Sequence, residues 1–150
     1  MRNIFLLPLF TLLVGCAPGA TITSAGRSFD RVQVGEEWVI EYTLNGMSER
    51  GTFTITRDAR PLTCGSPCEN IESIAYMEAK VLEESSGQVT LWTMKTGERS
   101  ATFSTPRLGR FAEVNCFVIL GAKEDTFKAS ITPNGAAKSE SGSCRVLSVR

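Results

Sequence analysis

Apolar and polar residues alternate one for one along most of this chain. Trp38, Ile40, Tyr42 and Leu44 interleave with Val39, Glu41 and Thr43, the period-2 pattern of a half-buried strand. Asn45-Gly46 follows, a strong hairpin-turn signal. Thr52 to Thr56 alternates again and is rich in β-branched residues, which suit a pleated surface. Ala75, Met77, Ala79 and Val81 interleave with Tyr76, Glu78 and Lys80. Further strands are predicted at 89–95, 99–104, 111–120, 126–132 and 144–149, separated by turn residues such as Ser86-Gly87, Thr96-Gly97 and Pro106 to Gly109. The run from Phe111 to Leu120 is the most apolar and is expected to be the most buried strand. Residues 58–72, with Pro61, Pro67, Cys64 and Cys68, read as an irregular loop, and 133–142 as a flexible loop of small residues. Ile71 to Glu84 is the one stretch with a helical alternative, but its alternation and its Tyr and Val content favour strand.

These segments predict an all-β fold, an antiparallel meander of about eight strands. Such a meander most simply closes into an up-and-down barrel, which removes exposed edges. A two-sheet β-sandwich is the alternative. The alternation parity places Trp38, Tyr42, Phe53, Ala79, Phe103 and Ala112 on the inner face, together with Ile40, Leu44, Ala75, Val114, Ala129 and others. Large inward residues cluster early in the chain and alanines recur later. An eight-stranded barrel holds either side chains or one small ligand, so these six residues are the candidate lining of an apolar ligand cavity.

The first residues carry a different signal. Arg2 precedes a short apolar run from Ile4 to Val14, the layout of a secretory signal. The run is too short for a span needing about 20 apolar residues. Leu13-Val14-Gly15-Cys16 closes it and resembles a bacterial lipobox. The resemblance implies diacylglyceryl transfer to the Cys16 thiol, cleavage after Gly15 and acylation of the new amino terminus. It divides the chain into a cleaved signal peptide at 1–15, a lipid-anchored tether at 16–30 and a single β-barrel-like domain at 31–150. It also implies a membrane-anchored lipoprotein of the bacterial envelope facing the extracytoplasmic side. Ala17 after Cys16 suits sorting to an outer membrane where the cell has one.

Charge and composition narrow the function classes. Sixteen basic and sixteen acidic residues cancel, so no electrostatic drive exists toward nucleic acid or anionic lipid. Membrane attachment is therefore expected through the lipid. The chain contains no histidine, which removes Ser-His-Asp and Cys-His catalysis and most zinc and iron sites. No cofactor motif is present.

Besides Cys16, the cysteines are Cys64, Cys68, Cys116 and Cys144. An even number in an exported chain reads as disulfides, and the spacing is poor for a zinc ribbon. Short separation suggests Cys64–Cys68, and shared inward parity suggests Cys116–Cys144. Cys64-Gly65-Ser66-Pro67-Cys68 has a spacer one residue longer than a thioredoxin-type site and lacks its βαβ context, so a structural loop disulfide is the better reading. The acid pairs Glu36/Glu37, Glu83/Glu84 and Glu124/Asp125 lie at turns, where solvated charge is expected. Ser139, Ser141 and Ser143 near Lys138 sit in Gly/Ala/Ser-rich surroundings that suit a loop rather than a Ser–Lys dyad.

Gly35-Glu36-Glu37-Trp38 is similar to the opening of lipocalin-like β-barrels, where Gly, one residue and Trp begin the first strand; here two residues separate them. The expectation is a non-catalytic, lipid-anchored protein that binds an apolar small molecule or an envelope protein. The alternative is an envelope inhibitor or assembly factor acting through surface loops.

Overall fold

The computed structural model describes residues 29–65, 68–82 and 86–150. The expected lipobox with Cys16, the expected signal peptide, most of the expected 16–30 tether and the pair Glu83/Glu84 lie outside the described residues. The nine strands are β1 (Glu37–Leu44), β2 (Met47–Ile55), β3 (Arg60–Leu62), β4 (Ile71–Val81), β5 (Ser86–Met94), β6 (Arg99–Thr105), β7 (Phe111–Ile119), β8 (Thr126–Pro133) and β9 (Glu140–Val149). Every pairing is antiparallel, and no helix occurs among the described residues.

The strands form one sheet in the order β2-β1-β9-β8-β7-β6-β5-β4-β3, with a further pairing of β2 to β4. That pairing closes β1, β2 and β4 through β9 into a ring and leaves β3 outside it. The first hairpin is built as its sequence requires. Asn45 and Gly46 both take positive φ, 50° and 78°, the twist-matched two-residue turn that Asn-Gly favours. Closure at the chain ends pairs Trp38 with Val149 and Tyr42 with Cys144. An ion pair of Glu37 with Arg150 fastens the same seam, its guanidinium Nε lying 2.7 Å from the carboxylate.

β3 lies within the segment expected to be an irregular loop. It exists because β4 is longer than β2. The far end of β4 pairs with β2 through Phe53↔Val81 and Ile55↔Ala79. The middle of β4 is left without that partner, and Arg60–Leu62 supplies it through Arg60↔Tyr76 and Leu62↔Ile74. Pro61 is tolerated there because β3 is an edge strand with one free side. The expected loop at 133–142 is also shorter than the composition suggested, since β8 runs to Pro133 and β9 begins at Glu140.

Inward parity places Trp38, Ile40, Tyr42, Leu44, Phe53, Ile55, Met77, Ala79, Ala101, Phe103, Val114, Phe127, Ala129 and Ile131 in the buried core. Ala112 is a correction. The β7–β8 register shifts between Phe111 and Glu113, a bulge that inserts one residue and reverses the parity. Phe111 therefore points inward and is fully buried, whereas Ala112 is only half-buried. Ala75, also expected inside, is half-buried near the end of β4 that faces β3.

The two ends of the ring differ. Phe29 caps one of them, its carbonyl accepting from Gly121 N at 2.9 Å in the β7–β8 turn. The described chain therefore begins at the end that carries the β5–β6 and β7–β8 turns. The β1–β2, β4–β5, β6–β7 and β8–β9 connections lie at the other end.

Candidate functional site

The expected cavity lining is the place where the interior is densest in aromatic rings. Trp38 stacks obliquely on Phe103 with centroids 4.8 Å apart and meets Phe29 at 5.3 Å. Phe53 sets its edge on Phe103 at 5.6 Å and 77°, the edge-to-face arrangement that ring quadrupoles favour. Glycines on neighbouring strands make room for these rings. A Cβ on Gly51 would lie 3.0 Å from the Phe53 ring; one on Gly87 would lie 3.2 Å from it and 2.5 Å from Val81. The Phe53 ring is thus wedged where β2 and β5 present no side chain.

The polar edges of the interior are also used. The Trp38 indole N–H donates to Glu36 Oε2 at 3.0 Å. The Tyr42 hydroxyl donates to the Phe103 carbonyl at 3.2 Å, and burial pushes that phenol well above its ordinary pKa. Among the described residues no buried side-chain nitrogen or oxygen lacks a hydrogen-bond partner. Trp38 and Phe53 thus pack on the Phe103 ring, and Tyr42 is tied to the Phe103 backbone. Ala79 faces the core, and Ala112 does not join them.

Cys64, Cys68, Cys116 and Cys144 form two disulfides, Cys64–Cys68 and Cys116–Cys144. The second joins β7 to β9 across β8, with Cα atoms 5.8 Å apart. In a flat sheet, strands two apart lie about 9.5 Å from each other, so the sheet curls sharply around β8. The sequence permits this because Ala129, the β8 residue at the bend, faces Cys116 on one side and Gly142 on the other. A Cβ on Gly142 would lie 2.6 Å from the Thr43 carbonyl. Ala129 therefore serves a tight bend rather than a ligand space.

Of the paired acids, Glu36, Glu37 and Asp125 are held by structural partners. Glu36 Oε2 also accepts from Gln33 N at 2.9 Å, and Glu37 is held by Arg150. Asp125 meets Arg145 Nε at 3.0 Å. Partial desolvation raises its pKa, but hydrogen bonds from Arg145 and Thr126 together with the Arg145 charge hold the carboxyl below the ordinary value. Ser139 shares a 2.8 Å hydrogen bond with Thr132. Among the described residues no three carboxylate, cysteine or histidine side chains cluster as a metal site.

The outer face carries a feature that was not anticipated. Phe117 and Ile119 point outward from β7 and remain 43% and 41% exposed. Trp92, outward on β5, is half-buried and donates its indole N–H to Thr102 Oγ1 at 3.1 Å. Thr102 stands opposite Phe117 and Thr90, and Ser100 stands opposite Ile119 and Trp92. The register thus gathers Trp92, Phe117 and Ile119 around two small hydroxyl residues. A shallow cleft containing Phe117 and Ile119 is bordered by Glu98, Glu124 and Lys128. The patch lies toward the Phe29 end of the ring. The signal for it was the unbroken run Phe117-Val118-Ile119-Leu120, apolar on both parities. A strand with one face in the core explains only half of such a run.

A scan of protein-family models, a search of curated proteins and a search of solved structures each found no match to this chain.

Proposed function

We propose that this chain is a lipid-anchored, non-catalytic binding module of the bacterial envelope, a small up-and-down barrel that docks a partner protein on its outer face. The lipobox at Leu13 to Cys16 supports the anchor. The two disulfides fit an oxidising, extracytoplasmic compartment. Pairing of consecutive strands around one ring, with the sharp curl at β8, supports a barrel over a sandwich. The absence of histidine and the engagement of Glu36, Glu37 and Asp125 by structural partners support a non-catalytic role.

The observation that carries the docking role is the outward patch of Trp92, Phe117 and Ile119. Contiguous exposed apolar surface marks an interaction site, and aromatic side chains dominate the energy of such sites. The rings packed on one another inside favour binding on the outside of the ring over an internal ligand. The test is a photo-crosslinking residue at Ser100, inside the patch, in cells expressing the full chain. A discrete protein adduct is expected, and it disappears in the folded double variant Phe117→Asp/Ile119→Asp. No adduct from the wild-type surface, or one unaffected by the double variant, rejects the docking reading. Replacement of Cys16 by Ser tests the anchor separately: processing and membrane retention that continue unchanged reject it.

A further inference from the structure

Toward the other end of the same strands, away from Phe29, the outer face is polar in a way that plain solvation does not require. The register aligns Gln88 on β5 with Ser104 on β6, and Ser104 with Asn115 on β7. These three outward side chains stand side by side at the strand spacing of about 4.8 Å. Two of them are fixed. Ser104 Oγ donates to Asn115 Oδ1 at 2.6 Å, and Asn115 Nδ2 donates to Glu113 Oε1 at 3.2 Å. Among the described residues, the Gln88 amide and the Tyr76 hydroxyl have no hydrogen-bond partner. Together with Pro106 these groups line a cleft of about 300 Å³, the size of the smaller ligand sites. Tyr76 also lines a second cleft of about 470 Å³ on its other side, with Glu78, Lys80 and Thr56. Tyr76 is therefore a ridge between two adjoining hollows.

We propose that this groove is a binding site for a neutral oligosaccharide of at least two sugar rings. A sugar hydroxyl both donates and accepts, and so requires neighbours of both kinds. Amides supply a donor and an acceptor, and a carboxylate supplies acceptors only. Gln88 and Asn115 in the row, with Glu113 beside Asn115, present that mixture. A sugar ring also has an apolar C–H face, which packs on an amphipathic aromatic side chain. Tyr76 offers such a surface between two hollows, of about 300 and 470 Å³. Other ligand classes fit less well. The first cleft holds no cation and carries the Glu113 carboxylate, and the single Lys80 of the second lies beside Glu78, so a phosphate finds little net counter-charge. Backbone groups of β4 to β7 are paired on both sides at this position, so a peptide cannot add as a strand. The groove lies toward the β4–β5 and β6–β7 turns, away from Phe29 and from the Trp92–Phe117–Ile119 patch, and it stands independently of the docking role.

The experiment is side-chain amide NMR on the full, isotopically labelled chain in detergent, titrated with chitotriose, cellotriose and maltotriose. At least one of the three is expected to give saturable shifts of the Gln88 and Asn115 side-chain NH₂ signals. Tyr76→Ala and Gln88→Ala should each weaken that binding at least tenfold, whereas Tyr76→Phe retains it and Phe117→Asp leaves it unchanged. Thermal melts of each variant separate loss of binding from loss of fold. No saturable shift with any of the three sugars, or shifts that persist undiminished in folded Tyr76→Ala, overturns the proposal.

Discussion

Gly87→Ala tests whether the ring interior is filled. Gly87 faces inward on β5, opposite Ala79, and its missing side chain is the space in which Val81 and Phe53 meet. An added Cβ would sit 2.5 Å from Val81 Cγ2 and 3.2 Å from two carbons of the Phe53 ring. Apolar carbons pack at about 3.5–4.0 Å, so the nearer contact is roughly 1 Å too short. Val81 and Phe53 are both fully buried, and neither can retreat toward solvent. Overpacking of this kind costs about 1–3 kcal/mol. Restriction of the unfolded chain returns about 0.4–1 kcal/mol of that. The net expectation is a loss of about 1–2 kcal/mol, with each kcal/mol lowering the melting temperature by roughly 3–6 °C for a domain of this size.

Urea unfolding followed by tryptophan emission reads this loss directly, because Trp38 lies in the same ring cluster. Two further variants sharpen the test. Gly65 has open space around its Cβ position, so Gly65→Ala should change stability by no more than about 0.5 kcal/mol. Val81→Ala removes the closest atom, so the double variant Gly87→Ala/Val81→Ala should be less destabilised than the sum of the single variants by on the order of 1 kcal/mol. A Gly87→Ala protein as stable as the parent, or more stable, would refute the reasoning. Room would then exist beside Phe53, and an apolar ligand inside the ring would again be a workable function.

The β7 bulge makes a paired prediction: Phe111→Ala should cost about 3–5 kcal/mol, while Ala112→Leu, pointing away from the core, should stay within about 0.5 kcal/mol by the same urea assay. Equal and large losses at both positions would contradict the parity reversal. Tyr42 predicts a pH dependence, since its pKa is raised in the fold by burial and the native state therefore holds the proton more tightly. Its stabilising contribution is complete below the unfolded value of about 10 and is lost as pH rises from there toward the folded pKa. Tyr42→Phe should flatten the fall of urea midpoints between pH 9.5 and 11.5, and an unchanged slope counts against a buried, neutral phenol.

Strand positions were legible because a strand alternates its faces whatever it packs against. Trp38 to Leu44, Met77 to Val81 and Phe127 to Ile131 each carry the inner face in their own spelling. Asn45-Gly46 announces its turn equally locally, through the positive φ that both residues accept. Cys116 and Cys144 share an inward parity that is likewise local, and they bond. The bulge at Phe111 to Glu113 breaks that logic. It depends on which β8 residues lie opposite, and alternation cannot count an inserted residue. β3 escaped for a similar reason: three exposed residues become a strand only because β4 extends past the end of β2.

By itself, then, the chain determined its all-β character, most inward positions and the hairpin turns, all of which are written in residues close together. Tertiary structure decided the rest. Whether Trp38, Phe53 and Phe103 line a cavity or fill it depends on the curvature of the ring. That curvature is set by seams joining residues far apart in the chain, such as Glu37 with Arg150, 113 positions away. The same curvature and register decide which outward side chains become neighbours. They bring Trp92 beside Phe117 and Ile119, and Gln88 into line with Ser104 and Asn115. Period-2 alternation tells a residue which side it faces; only the paired strands beside it decide what it faces there.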